Sequence, residues 1–150
     1  MYLLDSCAVI AYLMDETGAE EGFQCFASGD CCILSLNYME ICLDLMRRNN
    51  ELPVHLIAED LDELFTLRGI KVIESVPLAV ARIAALRKIE VTSTRDEQGR
   101  KRTISWADCF AYAFAEEYGL TLVTGDKEFL YLSQSHPSVN VRFFKEPGIR

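Results

Sequence analysis

Residues 105–126 read SWADCFAYAFAEEYGLTLVTGD, and their order decides the fold. Ser105 to Tyr118 is a strongly apolar stretch with one acid, Asp108, before Glu116. It predicts a buried helix, opened by a Ser-x-x-Asp capping box and stopped by Gly119. Leu120 to Thr124 follows at once and predicts a buried strand. The strand ends in the turn Thr124-Gly125-Asp126, which carries an acid to its carboxyl end. A helix feeding directly into an apolar strand is one step of an alternating α/β chain.

Working outward, the same alternation recurs. Met1 to Leu4, Cys31 to Leu34, Ile70 to Ile73 and Val139 to Phe144 are the other strand candidates. Between them, Ala8 to Met14 is an apolar run and Ala19 to Ala27 a short helix. Ser35 caps a helix to about Arg48, with an apolar stripe of Leu36, Met39, Leu43 and Met46 at helical spacing. His55 to Arg68 is a second amphipathic helix, carrying Leu56, Leu61, Leu64 and Phe65 and closed by Gly69. Pro77 opens a third, Leu78 to about Ile89. Val91 to Thr103 reads as a polar loop, and Phe129 to Leu132 as one helical turn. The order predicts an α/β fold with a mainly parallel sheet between two layers of helices, in one domain spanning residues 1–150.

Composition excludes several classes. Half of the 150 residues are hydrophobic, enough for a core, and no apolar run approaches the length of a membrane helix. Met1-Tyr2-Leu3-Leu4-Asp5 lacks the basic start and cleavage site of a signal peptide, so a cytoplasmic protein is expected. The net charge of −8 argues against nucleic-acid binding by bulk charge. The six cysteines form no C-x-x-C pair, and neither histidine has zinc-ligand spacing. They read as free thiols, with Cys31 and Cys32 on opposite faces of their strand. No Gly-rich phosphate loop follows a strand.

Four acids stand where a solvated acid should not. Asp5 ends the first strand and Asp126 follows the fourth, which places both at the carboxyl edge of the sheet, where α/β folds gather functional groups. Asp108 has almost no polar neighbour in sequence. Glu40 borders the apolar stripe of its helix, with Leu36 and Leu43 on either side. Each also has a local explanation: a helix cap for Asp5, a turn for Asp126, the capping box for Asp108, and the helix dipole for Glu40. Gathered together, four carboxylates would repel one another. Hard oxygen ligands without a His or Cys cluster favour Mg²⁺ or Mn²⁺.

The sequence Leu3-Leu4-Asp5-Ser6, then Glu40 within a helix, then Trp106-Ala107-Asp108 opening an Ala-rich helix, then Leu122-Val123-Thr124-Gly125-Asp126-Lys127-Glu128-Phe129, resembles the PIN-domain nucleases. Chains of this size resemble the VapC-type toxins of toxin–antitoxin pairs. The resemblance implies a PIN-like three-layer α/β/α sandwich and a metal-dependent ribonuclease that leaves a 5′-phosphate and a 3′-hydroxyl. It makes Asp5, Glu40, Asp108 and Asp126 the catalytic and metal-binding quartet, with Ser6 and Thr124 as supporting hydroxyls. Position 7, often small and polar in the family, is Cys7 here. Asp44 and Glu128 read as surface acids with an auxiliary role as the alternative.

The resemblance further implies a homodimer, an RNA substrate and a small antitoxin that blocks the site, pressing a cation into the acids and a helix onto the His55 to Arg68 segment. Setting the four carboxylates aside takes the net charge from −8 to −4. The cluster Arg95, Arg100, Lys101 and Arg102, just before the Asp108 helix, is the candidate RNA contact. Arg47, Arg48, Arg82, Arg87 and Lys88 read as helix surface charges. Two other classes compete: a non-catalytic PIN-like binding module, and a Mg²⁺-binding receiver-like phosphoacceptor. The latter calls for a pair of acids after the first strand, where only Asp5 stands.

Overall fold

A computed structural model describes residues 1–16, 30–48 and 52–144. The elements run β1 (Tyr2–Leu4), α1 (Ser6–Leu13), β2 (Cys31–Leu34), α2 (Ser35–Arg48), α3 (Val54–Arg68), β3 (Lys71–Ile73), α4 (Leu78–Thr92), α5 (Trp106–Tyr118), β4 (Thr121–Thr124), α6 (Glu128–Ser135) and β5 (Val141–Phe143). The expected helix Ala19 to Ala27, and Cys25 within it, lie outside the described residues.

The five strands form one sheet in the order β3-β2-β1-β4-β5, with every pairing parallel. Parallel sheets need cover on both faces, so the inner strands are buried and mainly apolar, while the edge strands carry Lys71 and Arg142. Alternate residues feed two cores. Leu3, Cys32, Leu34 and Leu122 face α4, α5 and α6 through Val80, Tyr112 and Phe129. Leu4, Cys31, Ile33 and Val123 face α1, α2 and α3 through Val9, Ile41 and Phe65. The result is a three-layer α/β/α sandwich, and Cys31 and Cys32 do point to opposite faces. The five described cysteines are free thiols.

The strand order fixes where a site can form. From central β1 the chain builds outward through β2 and β3 on one side, then crosses to β4 and β5 on the other. Connections therefore part between β1 and β4, leaving a crevice at their carboxyl ends. Register brings these ends level: Leu4 pairs with Val123, and the Asp5 amide donates to the Val123 carbonyl at 3.0 Å.

Three local expectations change. Helix α2 buries Asn37, Ile41 and Cys42, while Met39 and Leu43 of the expected stripe are 50% and 38% exposed. The helix is rotated because Asn37 is drawn inward to bond a carboxylate in the crevice. Helix α4 runs to Thr92, and the hydroxyls of Thr92 and Ser93 donate back to the Lys88 and Ile89 carbonyls at its end. What remains of the polar loop is a short hairpin bridged between Arg95 and Lys101. Helix α6 is an eight-residue helix, not a single turn. Phe129 and Leu132 are buried in it, and the Tyr112 hydroxyl donates to the Leu132 carbonyl at 3.0 Å. Arg87 is a clamp between α4 and α5, pairing with Glu116 at 2.6 Å while mostly buried. Lys88 donates to the Ile104 carbonyl and lies over the Trp106 ring.

Candidate active site

Asp5 leaves β1 and caps α1. It is 1% exposed, yet hydrogen bonds surround its carboxylate. Oδ1 accepts from the Ser6 amide at 2.7 Å and Asn37 Nδ2 at 3.1 Å. Oδ2 accepts from Thr124 Oγ1 at 2.7 Å and the Cys7 thiol at 3.0 Å. Ser6 Oγ lies 3.0 Å from Glu40 Oε2 and links the two acids. Thr124, fully buried at the end of β4, also accepts the Asp126 amide at 3.0 Å.

Asp108 occupies the first turn of α5. The capping box is real: the Asp108 amide donates to Ser105 Oγ at 3.0 Å, and Asp108 Oδ2 accepts the Ser105 amide at 3.2 Å. The helix is nevertheless aimed so that the carboxylate meets the other acids. Asp5, Glu40 and Asp108 each present an oxygen, and these three atoms lie within 4.8 Å of one another. Asp126 stands outside this trio, its Oδ1 accepting the Glu128 amide at 3.0 Å in a turn. It remains near enough for its charge to raise the pKa of both Asp5 and Asp108.

Burial, more than any neighbour, disfavours the charged form throughout this cluster. It raises the carboxyls of Asp5 and Glu40. Asp108 is pushed up to about 8, by burial first and then by the charges of Asp5 and Glu40. Burial beside Asp5 drives the Cys7 thiol well above its usual range, so it stays a donor. Among the described residues, no Lys or Arg forms an ion pair with Asp5, Glu40 or Asp108. Three clustered, desolvated carboxylates without a protein counter-charge fit a divalent cation. The all-oxygen donor set suits Mg²⁺ or Mn²⁺ better than zinc.

Two further residues join this centre: Asn37, which the sequence reading missed, and Cys7, which it noted as a departure from the family pattern without a site role. Asn37 is fully buried and positions Asp5. Its signal was present, since it lies three residues before Glu40 and so shares a helix face with it. Cys7 joins Asp5 to the β4 turn, its sulfur also accepting the Gly125 amide at 3.1 Å. Of the four loop cations, Arg95 donates to the Gly99 carbonyl, Arg100 pairs with Asp96, and Arg102 pairs with Glu128 and covers the Tyr131 ring. The surface acid Asp44 pairs with Arg48.

The fold and site together define a parallel α/β protein with a buried acid cluster at the crevice between its central strands. The PIN domain profile matches residues 2–133, and the chain belongs to that family. Similar folds are found in a toxin–antitoxin complex from Klebsiella pneumoniae, at 16% identity and TM-score 0.64 over 97% of this chain and 99% of that one. DNA-bound VapBC from Salmonella typhimurium aligns at 18% identity and TM-score 0.64, over 96% and 98% of the two chains. PAE2754 from Pyrobaculum aerophilum aligns at 24% identity and TM-score 0.54, over 87% and 82%. No curated protein matches the chain in sequence. Among the described residues, no helix is long and apolar enough to cross a membrane.

Proposed function

We propose that this chain is an endoribonuclease that hydrolyses RNA phosphodiester bonds with Mg²⁺ or Mn²⁺, residues 1–150 acting as one domain. The observation that carries this reading is the convergence of Asp5, Glu40 and Asp108 within 4.8 Å, with no Lys or Arg paired to them among the described residues. When bound there, a divalent cation supplies charge stabilisation on the phosphate and lowers the pKa of water.

The chain's own residues do the rest. Asp5, Glu40 and Asp108 are the principal ligands. Asn37, Thr124 and Ser6 hold Asp5 and Glu40 in place through the hydrogen bonds described, so that little reorganisation is needed when substrate arrives. Asp126, fixed by Thr124 and the Glu128 amide, is the rim carboxylate that orients the attacking water.

The toxin role of a toxin–antitoxin pair is supported by family membership and by similarity to toxin–antitoxin complexes. In this reading the protein is a cytoplasmic homodimer. A small antitoxin silences it by placing an Arg or Lys among the acids and a helix against α3, whose Val54 and Leu56 are exposed.

The test is cleavage of a labelled, structured RNA by purified protein in Mn²⁺, in Mg²⁺ and in EDTA, beside Asp5→Asn. Metal-dependent cuts with 5′-phosphate ends, lost in the folded variant, are the expected outcome. A folded, inhibitor-free protein that neither cuts RNA nor binds Mn²⁺ overturns the reading.

A further inference from the structure

A cavity of about 710 Å³ opens beside the acid cluster, with Asp108 and Asp126 in its wall. Its lining also takes in Asp96, Arg100 and Lys101 of the hairpin region, Arg102, and Lys127 and Glu128 of the turn into α6. The lining is close to neutral by count, but the charges are not equivalent. Arg100 is tied to Asp96 at 2.8 Å and Arg102 to Glu128 at 3.4 Å. With those pairs set aside, two acids remain at the catalytic end, Asp108 and Asp126. Two cations remain in the same lining, Lys101 and Lys127, both exposed and neither in an ion pair among the described residues.

The hairpin holds Lys101 in place. Asp96 Oδ1 accepts the amides of Gln98 and Arg100, its Oδ2 accepts Arg100 Nε, and Lys101 bridges back to Arg95. Among the described residues, the hollow beside Glu40 offers no comparable arrangement. It is lined by Met39, Leu43, Asp44 and a single cation, Arg47. A polyanionic strand with one phosphate at the acids is therefore drawn to the lysine side.

We propose that Lys101 and Lys127 form a phosphate-binding pair for the RNA strand, seating a backbone phosphate next to the one being cut. Lysine suits this role because it is a flexible point charge that meets a phosphate without demanding one geometry, and such contacts position the strand without reading its sequence. Arg100 and Arg102 serve the cavity wall instead. This inference rests on the nuclease reading.

The test measures binding of a fluorescein-labelled single-stranded RNA oligonucleotide by anisotropy at several salt concentrations. Ca²⁺ replaces Mn²⁺, and the RNA is checked for integrity afterwards. Lys101→Ala, Lys127→Ala and the double variant are compared with wild type and with Lys71→Ala, at the amino end of β3. Melting curves with and without Mn²⁺ establish that each variant is folded. Each cavity variant is expected to bind roughly fivefold more weakly and to lower the salt slope by about 0.7, the single-strand value per phosphate contact. Lys71→Ala is expected to match wild type. A double variant with wild-type affinity and slope overturns the proposal, and does so alone if wild type still cuts RNA with Mn²⁺. A wild type that neither binds RNA nor responds to Mn²⁺ overturns the nuclease reading and this proposal with it.

Discussion

Asp108→Asn is expected to stabilise the metal-free protein while abolishing its response to metal. Asp108 is 8% exposed, and its carboxyl is pushed up to about 8 from an ordinary 3.8, first by burial and then by Asp5 and Glu40. A raised carboxyl pKa means that the folded state holds a proton the unfolded chain has released. That contribution is complete below about pH 4 and is lost progressively as pH rises towards 8. Each pH unit in that window corresponds to roughly 1.4 kcal/mol, so the strain at neutral pH has a ceiling on the order of 4 kcal/mol. Because Asp5 and Glu40 share the repulsion, relief of about 2 kcal/mol is expected. For a chain of this size that is a rise of roughly 4 to 8 °C in Tm. Asn keeps the cap, since its Oδ1 can accept the Ser105 amide as Asp108 does now. The assay is thermal unfolding of both proteins at pH 5 and pH 8, in EDTA and in Mn²⁺. In EDTA the variant's advantage should grow from pH 5 to pH 8. In Mn²⁺ only wild type should gain, by about 2.7 kcal/mol at a hundredfold excess over Kd. A variant that is less stable than wild type in EDTA at both pH values would make Asp108 a helix cap and nothing more.

Thr124→Val should lower cleavage by more than tenfold and destabilise the fold by about 1 to 3 kcal/mol, because it leaves the buried Asp5 Oδ2 and the Asp126 amide each short of a partner. Thr124→Ser should restore most of the activity, as read by initial rates in Mn²⁺. Cys7→Ala should keep Mn²⁺ binding, since the thiol is a donor to Asp5 and not a ligand, and should cost about 1 kcal/mol through the lost Gly125 contact. Loss of Mn²⁺ binding in a calorimetric titration would refute that assignment. Tyr112→Phe should cost about 1 kcal/mol in denaturant unfolding, through the bond to the Leu132 carbonyl, and leave cleavage rates unchanged.

Local pattern carried the fold a long way. Strands that must be buried on both faces are mainly apolar, and Cys31 to Leu34 and Leu120 to Thr124 could be read for that reason. The position of Asp5 and Asp126 at the sheet edge followed from their place after such strands. What escaped depends on partners far away in sequence. The rotation of α2 is set by the bond from Asn37 to Asp5, and the role of Cys7 by its contacts with Thr124 and Gly125 on β4 and the turn after it. The four loop cations looked alike in sequence. The bond of Arg95 to the Gly99 carbonyl and the pairings of Arg100 with Asp96 and of Arg102 with Glu128 set those three apart from Lys101.

The local and functional explanations of the acids prove compatible because a carboxylate has two oxygens and about four acceptor positions. Asp108 uses Oδ2 for the cap of α5, which fixes the side chain without filling its capacity. Glu40 gives one oxygen to Ser6. Asp5 is the more demanding case: the Ser6 amide, the Ser6 hydroxyl and Asn37 donate to Oδ1, and Thr124 and the Cys7 thiol donate to Oδ2. The thiol is the weakest of them, and its Gly125 contact uses the sulfur as acceptor, so turning the S–H away leaves that contact intact. The amide, the asparagine and the threonine hold the carboxylate through stronger donors than the thiol. Capping and chemistry make the same geometric demand here, and the helix start that satisfies the backbone is what delivers the acid to the crevice.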